Sequence, residues 1–150
     1  MIVDKKLIVG IDAASARTGG GVTYLVELLG AAKPENFGIK RIIIWGGTNT
    51  LNLIEDKPWL QKQNPPELNR GIFSRSLWQL LKLSSEAKKF NCNVLLVPGG
   101  SFAGSFKPVV TMSRNLLPFE WKELKRFGFS MLTFKLIILR FTQLRSFKKA

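Results

Sequence analysis

The run Asp12-Ala-Ala-Ser-Ala-Arg-Thr-Gly-Gly-Gly21 concentrates the residues best suited to chemistry: a carboxylate, a guanidinium and three consecutive glycines. An apolar segment, Leu7 to Ile11, leads into it, and a helix-like segment, Val22 to Ala32, leads out. A strand, a glycine turn and a helix start gather backbone N–H groups and a positive dipole end at one spot, which suits phosphates and other anions. Glycines also serve simply to turn a chain, so a tight strand-to-helix turn explains the same residues. The spacing is neither that of a dinucleotide fingerprint nor that of a P-loop, and no Lys-Ser/Thr pair follows.

Composition removes several alternatives. The chain has no histidine, so imidazole acid–base and metal chemistry are excluded. One cysteine, Cys92, permits neither an internal disulfide nor a zinc site, and with no histidine beside it a nucleophile role is not expected. No metal or cofactor is expected. A net charge of +13 favours anionic partners: nucleic acid, an acidic membrane surface or phosphorylated small molecules. The N-terminus lacks a secretory pattern, and a cytoplasmic location is expected. At 150 residues with 45% hydrophobic content, the whole span 1–150 reads as one domain.

The elements that must position these residues follow from hydrophobic pattern. Leu7–Ile11, Ile42–Trp45, Val94–Val97 and Val109–Met112 read as short buried strands. Val22, Leu25, Val26 and Leu29 recur at helical spacing, and Pro34 ends that helix. A second helix is expected over roughly Ser74–Phe90 with Ser74 as its N-cap. Thr48–Pro66 reads as mostly loop, with a short helix near Leu51–Glu55. Strands alternating with helices predict an α/β fold: a parallel sheet with helices on both faces. Ligands of such sheets bind beyond the carboxyl ends of the strands, here at Asp12–Gly21, Pro98–Gly104 and Ser113–Phe119. The stretch Phe129–Ala150 is apolar nearly all round a helical wheel and calls for cover on most sides. Lys135 and Arg140 argue against its crossing a membrane. Ending a strand–helix series there makes the domain look unfinished.

Several segments, taken in order, resemble the family 4 glycosyltransferases of GT-B architecture: Ile11-Asp-Ala-Ala-Ser15, Arg17-Thr-Gly-Gly-Gly-Val-Thr-Tyr-Leu25, Arg75-Ser-Leu-Trp-Gln79, Val94-Leu-Leu-Val-Pro-Gly-Gly-Ser101 and Pro108 through Leu124. The resemblance runs over essentially the whole chain. It implies a Rossmann-like, incomplete N-terminal half of a two-domain fold, the half that mostly receives the acceptor. The donor-binding C-terminal domain and its paired glutamates have no counterpart here, so the expectation is a truncated fragment, inactive alone. The implied partners are a nucleotide-sugar donor and a sugar or lipid-linked acceptor, in polysaccharide or glycolipid synthesis.

On that resemblance the substrate-binding residues are Asp12, Arg17, Gly19, Gly20, Gly21, Arg114 and Asn115, and none is catalytic. The glycine loop approaches the donor phosphates. Asp12 contacts a sugar hydroxyl or else caps the following turn. Arg17 pairs with a phosphate or stays solvated. Ser113-Arg114-Asn115 stands where many relatives carry a histidine; Arg114 can neutralise a phosphate and Asn115 can bond a hydroxyl, but neither is a general base. Glu120 and Glu123 share a helical face with Lys122 and Lys125 nearby, as a salt-bridged surface would. The alternative from charge alone is a stand-alone basic anion-, membrane-surface- or nucleic-acid-binding module. Nucleic acid is not expected, because the aromatics fall at core-like positions. Peripheral association with an acidic membrane, on its inner face, stays open.

Overall fold

The computed structural model describes residues 6–102, 104–112 and 131–149. Five strands form one all-parallel sheet: β1 (Leu7–Asp12), β2 (Ile39–Trp45), β3 (Leu60–Gln63), β4 (Val94–Val97) and β5 (Val109–Thr111), in spatial order β3-β2-β1-β4-β5. Among the described residues five α-helices accompany it: α1 (Gly20–Ala31), α2 (Thr48–Leu51), α3 (Ile72–Leu81), α4 (Leu83–Lys89) and α5 (Met131–Lys149). The α/β class and the parallel sheet expected from the sequence are thus present, and the arrangement is Rossmann-like.

Alternation along the strands explains the two-sided core. Successive side chains of a strand point to opposite faces. Ile42 and Ile44 of β2 therefore pack with Val22, Leu25 and Leu29 of α1, while Ile43 and Trp45 pack with Leu83 and Ala87 of α4. Each face needs its own helical cover, so the central strands read as continuous apolar runs. Gly10, in the middle of β1, leaves space that the Trp45 indole fills: a Cβ there would lie 3.0 Å from Trp45 Cζ3 and 2.9 Å from Leu95 Cδ1.

Three local expectations change. β3 lies within a segment read as loop, and the short helix there runs over Thr48–Leu51 rather than near Leu51–Glu55. The long helix of Ser74–Phe90 is two helices with a break at Lys82. Its first turn begins at Ile72 after Gly71, because the Ser74 hydroxyl donates sideways to the Glu67 carbonyl at 3.2 Å instead of capping. α5 covers the sheet on one side only: Leu136 and Gln143 are buried, while Phe134, Ile138 and Phe141 face solvent. Among the described residues, no helix is long and apolar enough to cross a membrane.

Candidate functional site

The chain moves outward from β1 to β2 to β3, then crosses back to place β4 on the other side of β1. The carboxyl ends of β1 and β4 therefore form the topological switch point, the usual ligand crevice of such sheets. In this protein a polar network fills it. Asp12, at the end of β1, is only 2% exposed. Its Oδ1 accepts from the Ala14 N–H at 3.0 Å, which caps the turn. Its Oδ2 accepts from Gln79 Nε2 of α3. The same amide donates to the Ser101 carbonyl in the loop after β4, at 3.1 Å. Burial pushes the Asp12 carboxyl above its ordinary range, and the bonds from Ala14 and Gln79 oppose that rise. Of its two sequence-derived roles, Asp12 takes the turn-capping one, and its oxygens do not reach the surface.

One strand over, the loops after β1 and β2 enclose an open depression of about 270 Å³, lined by Arg17, Gly47, Thr48, Asn49, Thr50 and Asn69. Its walls are braced from below. The Thr50 hydroxyl donates to the Ala16 carbonyl at 2.5 Å, tying the two loops together. Asn69 Oδ1 accepts from the Thr48 N–H at 2.7 Å and from the Thr48 hydroxyl at 3.0 Å. Asn69 Nδ2 donates to Asn64 Oδ1, and Asn64 Nδ2 donates to the Gly46 carbonyl. Arg17 spends one N–H on the Arg70 carbonyl at 3.1 Å. A guanidinium has five N–H donors, so this bond leaves Arg17 others to offer a ligand.

Arg75 adds to the positive field. It reaches from α3 to the Ala14 carbonyl at 3.0 Å, and burial, then the Arg17 charge, pulls its pKa down. Neither guanidinium belongs to any of the ion pairs among the described residues. Arg17 beside the hydroxyl and amide groups of the depression, with the Arg75 charge behind it, suits an anion carrying hydroxyls, with the charge-assisted bonds supplying most of the affinity.

The structure therefore separates the sequence-derived residues. Arg17 lines the depression. Gly19, Gly20 and Gly21 form the start of α1; Gly19 has a φ of +66°, which favours glycine. A Cβ at Gly19 or Gly20 would meet nothing within 4 Å, so neither glycine is held by close packing. Arg114 and Asn115 lie outside the described residues, as do the Ser113–Phe119 loop, Glu120 and Glu123. The sequence does not single out Thr48, Asn49 or Asn69, and it gives Gln79 only as the last residue of the Arg75–Gln79 segment; the Gly46-Gly47 pair at the end of β2 marks the turn that leads to Thr48 and Asn49.

Cys92 packs inside the core, and burial pushes its thiol up to about 11. It should resist a thiol-specific colorimetric reagent at pH 8 in the native state and react at once in denaturant. Rapid native labelling would contradict its placement. Among the described residues, no group of acidic or cysteine side chains could hold a metal ion.

No protein-family model matches this chain, and no curated protein or solved structure matches it. What the site can hold follows from its own side chains.

Proposed function

We propose that the chain is the acceptor-side half of a sugar-transfer enzyme that uses a nucleotide-sugar donor, with its phosphate- or sugar-bearing ligand seated over Arg17, Thr48 and Asn49. The observation that carries this reading is the depression beyond β1 and β2: the Arg17 guanidinium, in no ion pair among the described residues, beside a braced set of hydroxyl and amide groups. The parallel sheet and the ordered resemblance of Ile11–Ser15, Arg17–Leu25, Arg75–Gln79, Val94–Ser101 and Pro108–Leu124 to family 4 glycosyltransferases support it. In this role the chain positions ligand and contributes electrostatic stabilisation, and among the described residues that line the depression none is a proton-transfer group.

Calorimetric titration with a nucleoside diphosphate sugar, a hexose phosphate and a neutral disaccharide tests the reading. The phosphate-bearing ligands are expected to bind, and Arg17→Ala to weaken them about tenfold or more, since a hydrogen bond to a charged group contributes about 1.5–3 kcal/mol. Neutral sugar binding should change little. Absence of phosphate-ligand binding at millimolar concentration, or an unaltered affinity in Arg17→Ala, would remove the proposal.

A further inference from the structure

α3 is built inside out. Its inward face carries Ser74, Arg75 and Gln79, each hydrogen-bonded to the loops below, with Trp78 as its buried apolar side chain. Its outward face carries Ile72, Phe73, Leu77, Leu80 and Leu81, with Phe73 80% and Ile72 75% exposed. These positions follow the helical repeat and form one continuous stripe, the opposite polarity to that of an ordinary surface helix. At roughly 550 Å² per chain, the stripe has the size at which exposed apolar patches mark contact surfaces.

The helix itself says what covers it. Its one charged residue is Arg75, whose guanidinium turns inward to the Ala14 carbonyl at 3.0 Å. The stripe is therefore uncharged, aliphatic and aromatic, like the centre of a protein–protein contact. It is also self-complementary. Phe73, Leu77 and Leu81 are four residues apart, so a two-fold axis beside Leu77 sets that side chain against its own copy and Phe73 against Leu81 of the partner subunit. Helices related in this way run antiparallel, and their dipoles attract. Two chains sharing the stripe remove about 1,100 Å² from water, enough for a specific contact and at the end of the range where association is weak and transient.

We infer that two copies of this chain associate through the outward faces of their α3 helices as a weak, antiparallel, isologous dimer. The net charge of +13 on each copy opposes the association, and salt screens that repulsion. The dimer therefore tightens as salt rises, whereas binding to an anionic surface would loosen. The inference goes beyond the ligand proposed at Arg17, because none of the stripe residues lines that depression.

The test is sedimentation equilibrium of the full 150-residue protein from about 1 to 200 µM, at low and at high sodium chloride. A monomer–dimer equilibrium within that range is expected, stronger at high salt. Leu77→Glu brings two carboxylates together at the axis and should weaken it at least tenfold. Phe73→Ser/Leu81→Ser, which removes only exposed side chains, should do the same, with the fold of both variants checked by circular dichroism. Leu77→Cys should form a disulfide-linked dimer on oxidation by copper phenanthroline. The unsubstituted chain, whose Cys92 is buried, and Lys40→Cys, at the amino end of the sheet, should not. A monomer at every concentration, association that weakens with salt or survives the stripe substitutions, failure of Leu77→Cys to cross-link, or a stripe that binds phospholipid vesicles as a monomer would each overturn the inference.

Discussion

Gln79→Leu is expected to destabilise the protein by about 2–4 kcal/mol at pH 7, because it strips a donor from a buried carboxylate. Asp12 would keep the Ala14 N–H but lose the amide that joins β1 to α3 and to the Ser101 loop. The effect depends on pH with a definite sign. Burial raises the folded-state pKa of Asp12 above 3.8, so between that value and the raised one the folded chain holds a proton that the unfolded chain releases. The Asp12 contribution to stability is therefore full below the unfolded value and declines as pH rises through the folded one. Removing Gln79 removes an influence that lowers the folded pKa, and so extends the decline upward. Urea midpoints at pH 4, 5.5, 7 and 8 should show the Gln79→Leu penalty growing with pH. Asp12→Asn should flatten that growth in both backgrounds. A penalty independent of pH would mean that the carboxylate is not what Gln79 serves.

Trp45→Ala is expected to cost about 3–5 kcal/mol, the usual range for emptying a large aromatic site in a packed core. Trp45 is wholly buried, meets Phe90 edge-on at 5.9 Å between ring centroids and occupies the space above Gly10. Folded domains are commonly stable by only about 5–15 kcal/mol, so this one change should remove a large share of the margin. Trp45→Phe should cost markedly less, because the indole N–H is buried with no hydrogen-bond partner among the described residues and its loss forfeits no bond. The converse change, Gly10→Val, should cost about 1–3 kcal/mol or more through overpacking against the same indole. Thermal melts of the three variants check the order. A Phe variant as damaged as the Ala variant would contradict the packing described.

The contrast between legible and hidden features follows from distance along the chain. β1, α1 and β4 declare themselves through local apolar pattern. β3 does not: Leu-Gln-Lys-Gln carries one apolar residue, and all four positions are half-buried at the sheet edge. The break at Lys82 and the inverted polarity of α3 depend on partners in other elements, so helical spacing alone extended that helix and set its start at Ser74. At the site, Arg17 was legible because it sits in the loop after the first strand. Asn69 joins it only through the crossover from β2 by way of β3, and Gln79 meets Asp12 across 67 residues. No spacing rule in a single sequence reports such a juxtaposition.

Backbone amide NMR during titration with a nucleoside diphosphate sugar tests the central claim most directly. The account predicts saturable shifts concentrated on Arg17, Gly47, Thr48, Asn49 and Asn69, absent in Arg17→Ala. Shifts confined to the amino edge of the sheet, or none at millimolar ligand, would contradict it.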